Sequence, residues 1–333
     1  MRQDSAAILA ERLLEKIRSK PKSFISLAEL SRKLKVDTAQ VASAVKVLNS
    51  WGYQVVIQRD HVALLGAPDT LIDVEIRHKL KTRLIGRHIH AFSSVQSTND
   101  IAMDLAESGA PEGTIVTAEQ QTKGRGRFGR TWFSEPGHGI YLSFILRPKL
   151  NPEKAPALSI MTAVALADTL SGYLPARVRI KWPNDVLIGR KRLRKTAGIL
   201  TELSADRNRI NHVVIGVGIN VNHGTSDFPP EIKEIATSVR RALRRKVPRV
   251  ELLQKFLANL EKEYHSYLKH GLKKSHSRIR RYSSLIGHSV ELVSGKHITK
   301  GKVLDINTDG ALVMEVDGQV RTVIAGEVTV VKD

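Results

Sequence analysis

"QTKGRGRFGRTWFS", residues 121–134, sets Lys123, Arg125, Arg127 and Arg130 among Gly124, Gly126 and Gly129 and closes on Trp132 and Phe133. The glycines spell G-x-G-x-x-G, a spacing that signals a dinucleotide fold only where it leads from a strand into a helix. "GTIVTAE" (113–119) does read as the strand before it, but "RTWFSEPGHGIYLSFILRP" (130–148) passes through a Pro-Gly turn into a second strand. No helix N-terminus faces a pyrophosphate and no acidic residue is spaced for a ribose, so the Rossmann reading fails on context. What remains is a basic loop between two strands. Its backbone N–H groups can approach an anion closely, and its guanidinium forks match carboxylate or phosphate oxygens.

The surrounding strand-like runs are "GIYLSFILRP" (139–148), "VRIKWP" (178–183), "TAGILTELS" (196–204) and "HVVIGVGINVN" (212–222), alternating with helical patterns near 98–109, 156–174 and 249–269. That texture is an α/β or α+β domain of enzyme size. From about residue 284 it gives way to "SVELVS", "KGKVLDIN", "GALVMEV" and "QVRTVIAGEVTVV", short strands with turn signals at 307–310 and Asp317-Gly318, for which a small SH3-like β barrel is the simplest fit.

The N-terminal stretch reads differently. Ile8, Leu13 and Ile17 fall near one face of a first helix. Ser26 with Glu29 and Asp37 with Gln40 form two capping-box signatures, each opening a short helix. In the second of these Val41, Ala44, Val45 and Leu48 share a face while Ala39, Ser43, Lys46 and Ser50 point away, the layout of a helix-turn-helix over Ser26 to Val45 with Gln40, Ser43 and Lys46 free to meet DNA. "QVVIQ" and "HVALLG" around Arg59-Asp60 supply a wing; a three-helix protein-interaction module is the alternative. "APDTLIDVEIRHKL" (67–80) reads as a connecting helix after a hinge. The expected boundaries are a winged helix-turn-helix over 1–66, a linker helix over 67–83, a catalytic domain over 84–283 and the terminal barrel over 284–333.

Composition limits the chemistry. Among 333 residues there is no cysteine, which removes disulfides, thiolate metal sites and thioester nucleophiles. There is no run of 18 apolar residues and the first twenty residues are too charged for a secretory segment, so the expected location is the cytoplasm, away from membranes. A net charge of +20 favours polyanionic or phosphate-bearing partners, with a basic solvated surface as the plainer explanation. The same two readings apply to "RRALRRK" (240–246) and "SRIRRY" (277–282).

Polar groups concentrate in three places: "QSTND" (96–100), the opening loop, and "KWPNDVLIGRKRLRKTAGIL" (181–200). Pro183 halts a strand and leaves Lys181, Asn184 and Asp185 at its end, where ligands commonly sit. Trp132 is either a flat face for a base or a buried core side chain. Lys195 is a compact cation suited to a developing charge on a phosphate or acyl oxygen.

Taken together, "STN" (97–99), "GRGRFGRTW" (124–132), "KWPND" (181–185), "KTAG" (195–198) and "IGVGIN" (215–220), in that order, resemble the biotin protein ligases, and "ATS" (236–238) and "GEV" (326–328) extend the likeness across residues 84–333. The N-terminal unit is similar to that of the bifunctional subclass, in which the ligase is also the biotin-operon repressor. The resemblance implies a two-step acyl transfer in which biotin reacts with Mg²⁺-ATP to give biotinyl-5'-AMP, and a lysine of the biotin carboxyl carrier protein of acetyl-CoA carboxylase then takes the biotin. It also implies operator DNA as a partner, the adenylate as corepressor and a homodimer when the adenylate is bound. Carried over by matched position, Ser97, Thr98, Asn99 and Gln121 bind biotin, with Arg125, Gly126 and Arg127 folding over it. Lys195, Arg125 and Arg127 carry the chemistry, and Trp132, Lys181, Asn184 and Asn220 bind the nucleotide. No metal ligands are assigned. Two departures stand out: Thr122 and Lys123 occupy positions where the repressor type often has Gln and Ala, and "IGRKRLRK" is long, so that Lys195 is placed by "KTAG" with Lys191 as the fallback. The rival functions are a lipoyl or octanoyl ligase, a biotin-sensing transcription factor without catalysis, and an RNA-binding protein that uses "KGRGRFGR" as an Arg-Gly segment.

Overall fold

The computed structural model describes residues 5–174, 177–295 and 297–331, and the chain divides into two compact units, Met1–Thr70 and Leu71–Asp333. In the first, α1 (Ser5–Arg18), α2 (Leu27–Leu34) and α3 (Thr38–Ser50) are joined by a three-stranded antiparallel sheet of β1 (Ile25–Ser26), β2 (Gln54–Gln58) and β3 (His61–Gly66) in the order β1-β3-β2. Helix α1 buries Ala10, Leu13, Leu14 and Ile17. Ile8, expected on that face, is 43% exposed, because it sits about 200° around the helix from Ala10. The Ser26 hydroxyl accepts from Glu29 N (3.1 Å). Asp37 and Gln40 satisfy each other's backbone at 2.7 and 3.0 Å, so this capping box forms in full, whereas at Ser26 only the N-cap bond forms because the Glu29 carboxylate pairs with Lys33 at 2.6 Å. Helix α3 buries Val41, Ala44, Val45 and Leu48 and leaves Gln40, Ser43 and Lys46 exposed.

The second unit is built on a seven-stranded sheet, order β4-β5-β6-β10-β9-β8-β7. Its strands are β4 (Ile89–Val95), β5 (Ile115–Gln121), β6 (Gly139–Leu146), β7 (Arg177–Lys181), β8 (Asp185–Gly189), β9 (Arg194–Asp206) and β10 (Arg209–Asn220). Only β4 and β5 run parallel; every other pair is antiparallel. The helices are α4 (Asp73–Arg77), α5 (Thr98–Glu107), α6 (Ala155–Ser171), α7 (Val239–Leu243), α8 (Arg249–His270) and α9 (His276–Tyr282). Helix α6 is apolar on every side, as a helix must be when it is enclosed all round. It packs with Leu253, Phe256, Leu257 and Leu260 of α8 in one core against Ile215, Val217 and Ile219 of β10 and Ala197 and Ile199 of β9. On the opposite sheet face α5 covers only part, burying Ala102 and Ala106 on Val116, Ile145 and Val214. The rest of that face stays open.

The connecting helix expected from Ala67 is confined to Asp73–Arg77. Polar bonds made elsewhere pin the segment: Leu71 N donates to Glu119 (2.7 Å), Leu71 O accepts from Thr117, and Gln254 Nε2 donates to the carbonyls of Glu75 and Ile76. The final strands, β11 (Ser289–Ser294), β12 (His297–Ile306), β13 (Leu312–Val316), β14 (Gln319–Val323) and β15 (Glu327–Val330), form a five-stranded antiparallel sheet in the order β14-β13-β12-β11-β15. Val290, Leu292, Val303, Ile306, Leu312 and Met314 join the same continuous core as α6 and α8. Trp182 Nε1 donates to Gly310 O at 2.8 Å. Gly310 lies at φ +83° with Ala157 close behind it, a conformation and a clearance that suit glycine alone.

Candidate active site

Strand alternation makes the floor of the site. In "IGVGIN", Ile215, Val217 and Ile219 point into the core, which turns Gly216 and Gly218 to the open face. A Cβ at Gly216 would lie 2.2 Å from Asn99 Oδ1, and one at Gly218 would lie 2.3 Å from the indole of Trp132. Across the ladder Gly218 pairs with Gly198, whose added Cβ would sit 3.0 Å from the same indole and 3.2 Å from Lys195 Cε. Gly218 and Gly198 thus let Trp132, and Gly198 also Lys195, lie close against the sheet, while Gly216 makes room for Asn99.

Ser97 caps α5 from an extended conformation, which sets Thr98 and Asn99 on the first turn with both side chains buried. Thr98 N and Oγ1 donate to Gln121 Oε1 at 2.8 and 3.0 Å, while Gln121 Nε2 donates to Ser134 Oγ at 3.1 Å. Ser143 Oγ of β6 bridges Thr98 Oγ1 and Asn99 Oδ1, and Asn99 Nδ2 donates to Glu202 Oε2 at 2.6 Å. These fixed amides and hydroxyls are an orienting polar wall.

The basic loop closes one side. Arg125 Nη2 lies 2.6 Å from Asp100 and 3.2 Å from Glu202. Arg127 donates to Asn184 Oδ1 and to Gly326 O, both at 3.2 Å, and Arg130 pairs with Glu327 at 2.6 Å. Burial pulls the Arg127 guanidinium down from its ordinary value, opposed by Asp185 and Glu327. Through Gly326 and Glu327 the last sheet therefore holds the loop. At its tip Phe128 is 66% exposed at φ +58°, in the left-handed region, with Arg127 over its ring at 4.8 Å.

Lys195 Nζ stands 2.8 Å from Asp185 Oδ1 and 5.4 Å from the centre of the Trp132 ring. The ammonium is not aligned for a hydrogen bond to that oxygen, which stays buried without a hydrogen-bond donor, while the buried Trp132 Nε1–H has no acceptor. β7 and β8 form a hairpin whose turn, Trp182-Pro183-Asn184, brings Asn184 and Asp185 to the same end of the site.

A cavity of about 50 Å³ connects these groups. Of the residues expected from sequence, Ser97, Thr98, Asn99, Gln121, Arg125, Gly126, Arg127, Trp132, Asn184 and Lys195 line it. Lys181 and Asn220 do not: they end β7 and β10 beside it, Lys181 half-buried and Asn220 buried. Lys191 is exposed on the β8–β9 turn, and Lys195 is the lysine that lines the cavity. Sequence reasoning missed the floor residues Leu142, Leu200, Gly216 and Gly218, and it missed Ser143 and Glu202, which reach the wall from neighbouring strands. The Gly-x-Gly of β10 was a visible signal; the cross-strand partners were not.

Residues 91–220 match the Biotin/lipoate A/B protein ligase family. The chain is 36% identical to the bifunctional ligase/repressor BirA of Bacillus subtilis (strain 168) over 321 residues, 96% of this chain and 98% of the relative. It is 28% identical to the BirA of Escherichia coli (strain K12) over 306 residues, 92% of each. The biotin protein ligase from Aquifex aeolicus in complex with biotin and ATP superimposes with a TM-score of 0.63 at 28% identity, covering 74% of this chain and all of that one. The chain belongs to the biotin/lipoate A/B protein ligases, among the bifunctional ligase/repressors of the BirA type.

Proposed function

We propose that this chain is an ATP-dependent biotin protein ligase that is also a biotin-responsive repressor. The observation that carries the ligase reading is the convergence on one cavity of a neutral polar wall, Ser97 to Asn99 with Gln121, and a cationic end, Arg125, Arg127 and Lys195, beside the Trp132 ring. A urea-like ring needs fixed donors and acceptors in an apolar slot, whereas two anions brought together need cations aimed where charge develops. In the first step a biotin carboxylate oxygen attacks the α-phosphorus of ATP, the bond to the β-phosphate oxygen breaks and pyrophosphate leaves. Lys195 and the two arginines hold the anions together, and no enzyme nucleophile is required. In the second step the neutral amine of a carrier lysine attacks the acyl carbon, AMP departs and the amine loses a proton.

The Asp185 carboxylate, whose buried Oδ1 lies 2.8 Å from the Lys195 ammonium, is the acidic side chain at this end that would hold Mg²⁺, which is commonly held by one or two carboxylates plus substrate phosphates. Such a cation would arrive with the nucleotide. It would neutralise phosphate charge there. A cavity of about 50 Å³ lies well below the roughly 300–1,000 Å³ usual for ligand sites. The Arg125–Arg127 loop and Trp132 are the parts a ligand would move: the backbone bonds there, Gly126 N to Arg130 O at 2.7 Å and Trp132 N to Gly124 O at 2.8 Å, stay within the loop, and its tip reaches the rest of the site through the side chains of Arg125, Arg127 and Arg130.

The N-terminal unit has a capped helix with Gln40, Ser43 and Lys46 exposed and a β2–β3 hairpin turning at Arg59-Asp60, which suits a winged helix-turn-helix. A single such module reads one half-site, so operator binding follows from a dimer whose formation the adenylate favours, by no more than the adenylate's preference for dimer over monomer. The test is incubation with ATP, labelled biotin and a biotin carrier domain. Label on the carrier lysine is expected, together with tighter operator binding in biotin plus ATP than in either alone. No label would refute the ligase reading, and adenylate-independent operator affinity would refute the switch.

A further inference from the structure

The turn that makes "IGRKRLRK" long has a defined shape. Strands β8 and β9 pair through Ile188–Arg194, and the chain folds back so tightly that a Cβ on Gly189 would lie 1.9 Å from the Arg192 carbonyl oxygen. This presents Arg190, Lys191 and Arg192 outward, all exposed. Immediately after the turn, Lys195 N donates to Ile235 O at 2.7 Å and Lys195 O accepts from Thr237 N at 2.8 Å, so residues 235–237 run along the start of β9. Arg192 and Arg194 share Glu234, at 3.6 and 3.4 Å, and Arg241 donates to Ala236 O. Beyond it Arg244, Arg245 and Lys246 are exposed. Two basic clusters far apart in sequence therefore meet around one segment. Within 190–195 and 231–246 there are eleven lysines and arginines against two glutamates, a surplus of nine in a chain whose total is +20. At the middle of this rim Ile235 is 58% exposed, bonded through its backbone to the residue that stands in the cavity.

We infer that this rim is the docking surface for the acyl acceptor, and that it takes an acidic face of the lysine-bearing carrier domain. The inference rests on the ligase reading. The acceptor lysine has to reach an anhydride formed beside Lys195, so the carrier surface around that lysine meets the edge of the cavity nearest Lys195. That edge is an exposed isoleucine flanked by Arg192 and Arg194 at Glu234 and by Arg241 at Ala236, an apolar contact beside positive charge that selects an acidic partner and speeds its arrival. Placement beside Lys195 favours a carrier over nucleic acid as the occupant.

The test separates the two half-reactions. Arg190→Glu with Arg192→Glu reverses one side of the rim, and Arg244→Glu with Arg245→Glu reverses the other. With biotin and ATP alone, each double variant makes adenylate at a rate within about twofold of the unaltered chain. With an acidic biotin carrier domain at low salt, each lowers kcat/KM for transfer by about tenfold or more, through KM, and flattens the decline of transfer with added salt that the unaltered chain shows. If one pair impairs folding, adenylate formation reveals it and the other pair decides. Carrier KM and salt dependence unchanged in both would overturn the assignment. So would equal loss of both half-reactions in both, and so would loss of DNA retention with transfer intact, which would give the rim to nucleic acid. Absence of adenylate from the unaltered chain would instead refute the ligase reading beneath it.

Discussion

Lys195 is the second residue of β9, and its ammonium lies 2.8 Å from Asp185 over Gly198. If it stabilises charge developing on the α-phosphate, Lys195→Ala lowers adenylate formation by roughly 3 kcal/mol or more, two orders of magnitude in rate, with the fold retained. Biotin-dependent pyrophosphate release reads this directly, and near-normal turnover would move the role to another cation. Gly218 gives a complementary prediction. Because a Cβ there would stand 2.3 Å from the indole, Gly218→Val drives Trp132 off the floor. It should weaken ATP binding more than biotin binding, whose proposed wall of Thr98, Asn99 and Gln121 lies elsewhere; an unchanged KM for ATP would separate Trp132 from the nucleotide. At this scale the sequence was legible where one short motif supplies the group, as in "STN" or "GRGRFGRTW". It was silent on Ser143 and Glu202, since cross-strand register, and not spacing along the chain, brings them to Asn99.

Among the elements, the segment after β10 carries a titration that geometry makes testable. His223 is fully buried with neither ring nitrogen partnered; it stacks on Phe228 at 4.9 Å and lies 5.4 Å from the His138 ring. Burial pushes its pKa down to about 4, with His138 and Arg249 adding to the shift and Asp227 opposing it. A histidine depressed in the folded state binds its proton more readily when unfolded. Its contribution is thus present above about pH 6.5 and is lost as pH falls toward 4, by up to about 3 kcal/mol. Denaturant unfolding at pH 7 and pH 4.5 should show this loss, and His223→Phe, which keeps the stack without a proton site, should reduce it; equal slopes would show that the histidine is not responsible. The long periodic elements were legible: α5, α6 and α8 fall within a few residues of the expected spans. The helix expected from Ala67 shrank to Asp73–Arg77 because Glu119, Thr117 and Gln254 claim its backbone groups, partners that no local pattern announces.

For the molecule as a whole, the terminal sheet supports the active site through Arg127 to Gly326, Arg130 to Glu327 and Trp182 to Gly310. Removing residues after 283 would expose α6 and α8 and release the basic loop, so the truncated chain is expected to lose cooperative unfolding and adenylate retention together; a folded, fully active product would contradict this. The change of texture near residue 284 was legible in sequence, but the sharing of one core with α6 and α8 was not, because that depends on which faces the two sheets turn toward the helices. In the proposed reaction one cavity joins biotin to AMP before any acceptor arrives. It is tested most directly by mixing the chain with biotin and Mg²⁺-ATP without carrier and identifying the bound small molecule by mass. Biotinyl-5'-AMP retained at about one per chain, and consumed when a carrier domain is added, is the predicted result. Carrier labelling with no adenylate formed, or an adenylate made from lipoate and none from biotin, would contradict it.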